Sequence, residues 1–297
     1  MKKLQNNPEL SIIILTYNSQ KELPVLLDSI YLFDQEKFSA HQWEIIIVDN
    51  NSSDGTVTWL KENKDKYPNL VLIENKGNLG FGPGNNVGAR KSNGQYVLFL
   101  NPDMKVEKES ISTPLDFLKL HSEVGAVTAK TILGNGSLDS TCHRGFPTPW
   151  NAFCYFSGLT RLFPKSKLFA GYTLGDLDLD VPHQVEAING AYFMLPRKLG
   201  NELEWFDEDY FWKGEDLDLC YRMKQKGYQI WYLPQVKVWH YKGSSKGHQR
   251  GSKSLNARFE VMRLFYEKHY KDKYPGWVRH LVLAGIQLRY FLANLGI

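Results

Sequence analysis

The chain has 297 residues, a formal net charge of +4 and three cysteines. That length buries a large core and suits one big α/β domain with an appendage. Cys142, Cys154 and Cys220 are odd in number and lack C-x-x-C spacing, which argues against a zinc knuckle or a disulfide framework and fits a reducing cytoplasm.

The segment Met1 to Pro8 has the charge but not the apolar run of a signal peptide, so export by that route is not expected. Apolar, β-branched runs follow at Leu10 to Leu15, Glu44 to Val48, Leu70 to Ile73, Tyr96 to Leu100 and Val124 to Thr128. Helix-compatible stretches separate most of them. One opens at Ser53-Asp-Gly-Thr, one starts near Pro83, and one is expected over Glu107 to Leu120. The alternation predicts a βαβαβαβ half with a mostly parallel sheet flanked by helices. Residues 131–183 have no sustained period and read as an irregular excursion. Val185 to Leu195 reads as one strand, Glu215 to Lys226 as a helix ended by Gly227, and Tyr228 to Leu233 and Val236 to Trp239 as two short strands.

Four strands end in polar groups: Thr16-Tyr17-Asn18, Asp49-Asn50-Asn51, Glu74-Asn75 with Asn78, and Asn101-Pro102-Asp103. One such end is an ordinary turn or cap. In a parallel sheet all four lie on one edge, where open α/β sheets bind ligands. The segment Asn78-Leu-Gly-Phe-Gly-Pro-Gly-Asn-Asn86 fits neither the G-x-G-x-x-G fingerprint nor the P-loop. It reads either as a flexible loop before a Pro-started helix or as a place where Gly82 and Gly84 admit substrate to the backbone, with Asn85 and Asn86 as hydrogen-bonding groups.

Together Ser11 to Asn18, Ile45 to Thr56, Asn78 with its Gly-Phe-Gly loop, Asn101-Pro-Asp103 and Gly214-Glu-Asp-Leu-Asp-Leu-Cys-Tyr-Arg222 resemble, in order, the motifs of family 2 inverting glycosyltransferases of the GT-A fold. The Gly-Phe-Gly-x-Gly-Asn-Asn form is most similar to the rhamnosyltransferase-like branch. The resemblance implies a single Rossmann-like sheet, with a catalytic domain over 1–240, a nucleotide-sugar half to about residue 130 and an acceptor half from about 131 to 240. Thr16, Tyr17, Asn18, Asp49 and Asn78 would hold the nucleoside of a dTDP- or UDP-linked donor. Asp103 matches the last acid of the family's D-x-D motif, whereas Asn101 replaces its first acid with a neutral ligand. Mg2+ or Mn2+ is the implied cofactor, bound by Asp103 and, as in some relatives, by His240; the other reading of His240 is a packed or hydrogen-bonded histidine among aromatics.

The same resemblance makes Asp216 the general base and Glu215 its neighbour that orients a sugar, although acids in a first helical turn also offset the helix dipole. Arg222 reads as a structural ion-pair partner. Gly190 and Ala191 lie on the implied acceptor side, with Trp205, Phe211 and Trp212 as flat faces for sugar rings.

Residues 241–297 hold 11 Lys and Arg against 3 Asp and Glu, leaving 25 against 29 for the rest. The glycine- and lysine-rich stretch 242–254 reads as a lid over the diphosphate. Leu255, Phe259, Met262, Phe265, Tyr266 and His269 outline an amphipathic helix. Trp277 to Ile297 is apolar but contains Arg289, so it is expected to lie on the cytoplasmic face of the membrane as a peripheral helix, or else to pack on a partner subunit in a homodimer. No nucleic-acid recognition module is visible.

The function the resemblance implies is transfer of L-rhamnose from dTDP-L-rhamnose to a lipid-linked or polysaccharide acceptor. The alternatives are a hexosaminyl or galactofuranosyl transferase using a UDP-sugar, and a non-catalytic glycan-binding scaffold.

Overall fold

A computed structural model describes residues 7–211, 213–242 and 252–294. The α/β architecture is as expected. Strands β1 (Leu10–Thr16), β2 (Trp43–Asp49), β3 (Leu70–Glu74) and β4 (Tyr96–Leu100) alternate with helices α1 (Leu23–Ser39), α2 (Thr56–Asn63) and α3 (Phe81–Lys91). They pair in parallel in the order β3-β2-β1-β4. Both faces are covered, which is why these strands are continuous apolar runs. Ile12, Ile14, Leu98 and Leu100 enter one core cluster, and Ile13, Val97 and Phe99 enter the other on the opposite face. Helix α3 lies close to the sheet because its glycines leave room. A β-carbon on Gly84 would stand 2.6 Å from Leu15, and one on Gly88 2.6 Å from Ile13.

Beyond β4 the sheet differs from the mostly parallel expectation. β5 (Met104–Val106), β6 (Val124–Leu133), β7 (His183–Val185), β8 (Tyr192–Pro196) and β9 (Gln229–His240) extend it in the order β4-β8-β6-β9-β5, with β7 also on β9. Only β6 and β9 pair in parallel there; β8 is antiparallel to β4 and β6, and β5 and β7 to β9. Antiparallel neighbours need no helical crossover, and none of the helix-sized connections of the first half joins these pairs.

Three boundaries also move. Helix α4 begins at Ser112 and ends at Leu120, because Glu109 takes φ +65° and Ser110 caps Glu107, keeping 107–111 out of the helix. The run Val185 to Leu195 splits into β7 and β8 around Ala187 to Ala191. The two expected short strands fuse into β9, whose register against β6 jumps from Leu233 to Lys237 past Pro234, a residue with no N–H for the ladder. The excursion is irregular as read, with two short helices, α5 (Pro149–Phe156) and α6 (Leu159–Leu162).

After α7 (Arg197–Glu202) and α8 (Glu215–Gln225), the chain ends in α9 (Ser252–His269) and α10 (Gly276–Asn294). Helix α9 is built into the core: Phe265, Tyr266 and Tyr270 are buried with Leu217 and Tyr221 of α8. The joint is ionic as well. Asp218 is fully buried and accepts from Arg222 Nε and His269 Nε2, each at 2.6 Å, while Arg222 also donates to the carbonyls of Leu203 and Trp205. Arg222 is thus the structural partner expected. Most of the stretch 242–254, with the side chain of Leu255, lies outside the described residues.

Burial alone would raise the Asp218 carboxyl, but its bonds to His269 and Arg222 outweigh that and hold it below the ordinary range. Its contribution to stability is therefore complete above the unfolded-state pKa of about 3.9 and fades as pH falls through the lower folded value. Asp218→Asn is expected to cost about 3–5 kcal/mol in urea unfolding at neutral pH, because Arg222 and His269 lose their charged partner. The difference from the parent should shrink as pH falls below about 4.

Candidate active site

The polar strand ends meet in register: Thr16 lies opposite Asp49, and Asp49 opposite Glu74. Order here comes from a dense hydrogen-bond set. Thr16 Oγ1 donates to Asp49 Oδ1 at 2.9 Å, and Ser52 donates to Asp49 through its hydroxyl at 2.5 Å and its N–H at 2.8 Å. Thr16 and Asp49 are both buried, so they form the floor that shapes the loops above. Tyr17 and Asn18 are half-buried, and Asn18, at φ +54°, accepts from Ser53 N–H at 2.8 Å. Asn50 donates to Asn78 Oδ1 at 3.3 Å and to the Gly80 carbonyl at 3.0 Å, and Asn75 donates to Asn50 at 2.9 Å. Asn78 is exposed at this edge.

The Gly-rich segment runs into α3 from Phe81 and packs against the 206–215 loop. Gly82 is buried, and a β-carbon there would meet Phe206 at 3.3 Å and Glu215 at 3.5 Å, so its small size serves close packing. Asn85 and Asn86 are also buried. Asn85 donates to the Phe81 carbonyl, while Asn86 bonds both the N–H and the carbonyl of Phe206. Asn86 thereby fastens α3 to the 206–215 loop, while the Asn85 bond stays within α3. Phe81 N–H, bonded to the Phe211 carbonyl at 3.1 Å, adds to the same seam.

The Asn101-Pro-Asp103 turn leads directly into β5, which pairs Met104 with His240 on β9. Asp103 Oδ1 consequently lies 3.3 Å from His240 Nε2. On the other side of the ring, His240 Nδ1 lies 3.3 Å from Asp139 Oδ2. Asp139 also accepts from Lys242 at 2.6 Å and from Thr141, whose hydroxyl receives Asn189. All three groups are buried. Carboxylates only accept, so both ring contacts attract only if a cation is present, either a second proton on the imidazole or a metal between Nε2 and Asp103. Burial opposes the charged ring, but the two carboxylates prevail and keep His240 above its ordinary pKa. Burial likewise works against ionised Asp139, yet His240, Lys242 and Thr141 hold it far below the usual carboxylate range.

Two ligands about 2.1 Å from one ion and near a right angle apart stand about 3 Å from each other, so the Asp103–His240 separation fits a shared divalent ion. Among the described residues no group of three or more His, Cys, Asp or Glu is arranged to hold a metal, so further ligands would have to come from a bound molecule.

Glu215 and Asp216 open α8, as read from the sequence. Asp216 Oδ2 accepts from Arg144 at 2.8 Å and from Gly190 N–H at 3.2 Å, and its other oxygen accepts from Leu217 N–H at 2.6 Å. Glu215 is buried with Oε2 unpartnered, and burial, reinforced by the Asp216 charge, pushes its carboxyl up to about 8. It is therefore mostly protonated near neutrality.

Gly190 is where the halves meet. A β-carbon there would stand 2.8 Å from Phe81, and the next residue, Ala191, gives its carbonyl to Asn101 N–H at 2.9 Å. Trp205 is core, packed edge-on against Phe99, whereas Phe211 is exposed. Trp212 lies outside the described residues. Sequence reasoning missed Arg144 and Asp139, both in the aperiodic excursion. Asp139-x-Thr141 is legible as an Asx turn, but nothing in the sequence says that it reaches His240.

Residues 11–173 match the family described as Glycosyl transferase family 2. TarS of Staphylococcus aureus, a poly(ribitol-phosphate) beta-N-acetylglucosaminyltransferase, is 25% identical over 284 residues, covering 91% of this chain and 48% of TarS. The chain thus spans about half the length of that relative. An N-acetylglucosaminyl-diphospho-decaprenol L-rhamnosyltransferase of Mycobacterium tuberculosis is 25% identical over 281 residues, covering 91% of this chain and 86% of the relative. The structure of TarS 1-349 with UDP-GlcNAc superposes with a TM-score of 0.59 at 22% identity, covering 95% of this chain and 72% of the other. A mannosyltransferase of Pyrobaculum calidifontis with GDP-Man and Mn2+ superposes at 0.60 and 18% identity, covering 98% and 72%. The fold is accordingly the GT-A fold, and with the motifs in order and more than half of its length matched, the chain belongs to glycosyl transferase family 2.

Proposed function

We propose that the protein is an inverting glycosyltransferase that moves a sugar from a nucleoside diphosphate to a hydroxyl of a cell-surface glycan intermediate. One observation carries this reading: consecutive residues of one strand start, Gly190 and Ala191, tie Asp216 to the Asn101-Pro-Asp103 turn. A base and an anchor for the leaving group are thereby held on one frame. Asp216, fixed by Arg144, Gly190 and Leu217, takes the proton as the acceptor oxygen attacks the anomeric carbon, and the bond to the diphosphate breaks in the same displacement. Glu215, protonated, donates a hydrogen bond that orients a sugar hydroxyl. Asp103 and His240 would hold Mg2+ or Mn2+, which when bound neutralises the diphosphate. Asp139 holds the ring of His240 for that task. Tyr17, Asn18 and Asn78 line the nucleoside side above Thr16 and Asp49.

L-rhamnose from dTDP-L-rhamnose is the preferred donor, supported by the Gly-Phe-Gly-x-Gly-Asn-Asn segment and by the rhamnosyltransferase relative matched over most of its length. UDP-GlcNAc is the second reading, favoured by TarS. A lipid-linked acceptor would be met at the cytoplasmic face of the membrane, on which α10 lies. Among the described residues no helix is long and apolar enough to cross it.

Asp216→Asn should lower kcat about 10³-fold while leaving donor binding by calorimetry within twofold, and normal turnover would refute its assignment as base. Asp139→Asn and His240→Ala should each weaken Mn2+ binding about 10- to 100-fold, read by electron paramagnetic resonance in the presence of dTDP or UDP. A calorimetric panel of dTDP-, UDP- and GDP-sugars with and without Mg2+ should rank dTDP-L-rhamnose first; tighter binding of UDP-GlcNAc would select the second reading.

A further inference from the structure

The excursion between β6 and β7 leaves from the active site and comes back to it. Its neck is closed by Gly145 N–H on the Tyr172 carbonyl at 2.9 Å, one residue beyond the Arg144 that holds Asp216. The neck is tight, since a β-carbon on Gly145 would stand 2.0 Å from the Gly171 carbonyl. Within the loop, Thr148 caps α5, Trp150 Nε1 donates to the Leu168 carbonyl at 2.8 Å, and Thr160 donates to the Phe169 carbonyl at 2.6 Å. The loop is held in shape by its own bonds.

Yet its outer surface is apolar. Trp150, Phe153, Phe156, Leu162, Phe163 and Leu168 are all exposed, Leu162 at 72% and Phe153 at 56%. A patch of this kind on a self-supported element marks an interaction surface. Its charge names the partner. The excursion's acids, Asp139, Asp176, Asp178 and Asp180, lie at its two ends; from Ser140 to Gly175, the part that carries the apolar surface, there is no Asp or Glu, and Arg161, Lys165 and Lys167 are exposed with no carboxylate partner among the described residues. Aromatic side chains beside unpaired cations match the headgroup region of an anionic bilayer.

Helix α10 continues the surface. Arg289 lies 4.9 Å over the Phe156 ring, and Trp277, Leu281, Leu288 and Phe291 are exposed at heptad-like spacing on a helix that also lacks acids. We infer that the α5–α6 excursion is itself an anionic-membrane docking surface, joined to α10, which seats the Arg144–Asp216 pair next to the bilayer.

This deepens the membrane reading above, and its test separates the two. The full chain should co-float with mixed phosphatidylglycerol–phosphatidylcholine vesicles and far less with phosphatidylcholine alone. Phe153→Asp with Leu162→Asp should lower vesicle affinity at least about tenfold, and Lys165→Glu with Lys167→Glu should remove the preference for anionic lipid. Both variants should keep the parent's melting temperature and nucleotide-sugar binding. If both float like the parent while truncation after residue 274 releases the protein, α10 alone docks and the inference falls. If the parent binds neither vesicle, both membrane readings fall. Sedimentation showing that the first variant converts an oligomer into monomers would make a second copy the occupant and also overturn it. A protein that floats as expected but binds no nucleotide-sugar keeps the surface and loses the enzyme reading.

Discussion

Everything at the cleft depends on the two residues just ahead of β8, whose adjacent backbone groups hold both halves of the molecule. Gly190 gives its N–H to Asp216, and Ala191 gives its carbonyl to Asn101. Since β8 is antiparallel to β4, its beginning lies at the carboxyl end of β4, so the acidic turn and the acidic helix start face a common edge. A side chain at Gly190 would strike Phe81, which itself anchors the Gly-rich segment to the 206–215 loop. Displacing this joint would move the candidate base relative to Asp103 without touching either.

Around that joint the protein buries charge in two different ways. His240 sits between Asp103 and Asp139 in a set that is satisfied only with a cation, whether a second proton on the ring or a bound ion. Glu215 is buried with an oxygen unpartnered, and burial together with the Asp216 charge pushes its carboxyl up. Two neighbouring carboxyls on one helical turn thereby acquire different states: Asp216 is paired with Arg144 as an acceptor, and Glu215 is a potential donor. Environment separates their roles, as it does wherever paired acids share a site.

The same helix is braced from behind. Asp218, Arg222 and His269 lock α8 to α9, and Lys268 pairs with Asp207 and Asp209 on the loop that also carries the Phe206 and Phe211 contacts. The C-terminal helices are therefore mechanically continuous with the helix that carries Glu215 and Asp216. Both the α5–α6 excursion and α9 are tied to the region of the cleft by direct contacts: Arg144, at the neck of the excursion, holds Asp216, and His269 of α9 holds Asp218.

The apolar runs of β1 to β4, the helices between them and the polar residues at the strand ends were legible from the sequence because a doubly covered parallel sheet imposes continuous hydrophobicity and abrupt polar termination. The order of the five motifs was enough for the family, and it singled out Asp103, Glu215 and Asp216 as candidates. What the sequence could not carry was pairing across long separations. The antiparallel strands, the fusion of β9 past Pro234 and the short β5 follow from which edges were left to be covered. Gly82 and Asn86 read in the sequence as loop groups beside a ligand, and local pattern carries no sign of their contacts in three dimensions: Gly82 packs beside Phe206 and Glu215, and Asn86 bonds the Phe206 backbone. Arg144 and Asp139 come from an aperiodic stretch, where local pattern holds no information about destination. Only tertiary structure brings them to Asp216 and His240, since a buried charge finds its counter-charge by proximity in space and not by spacing along the chain.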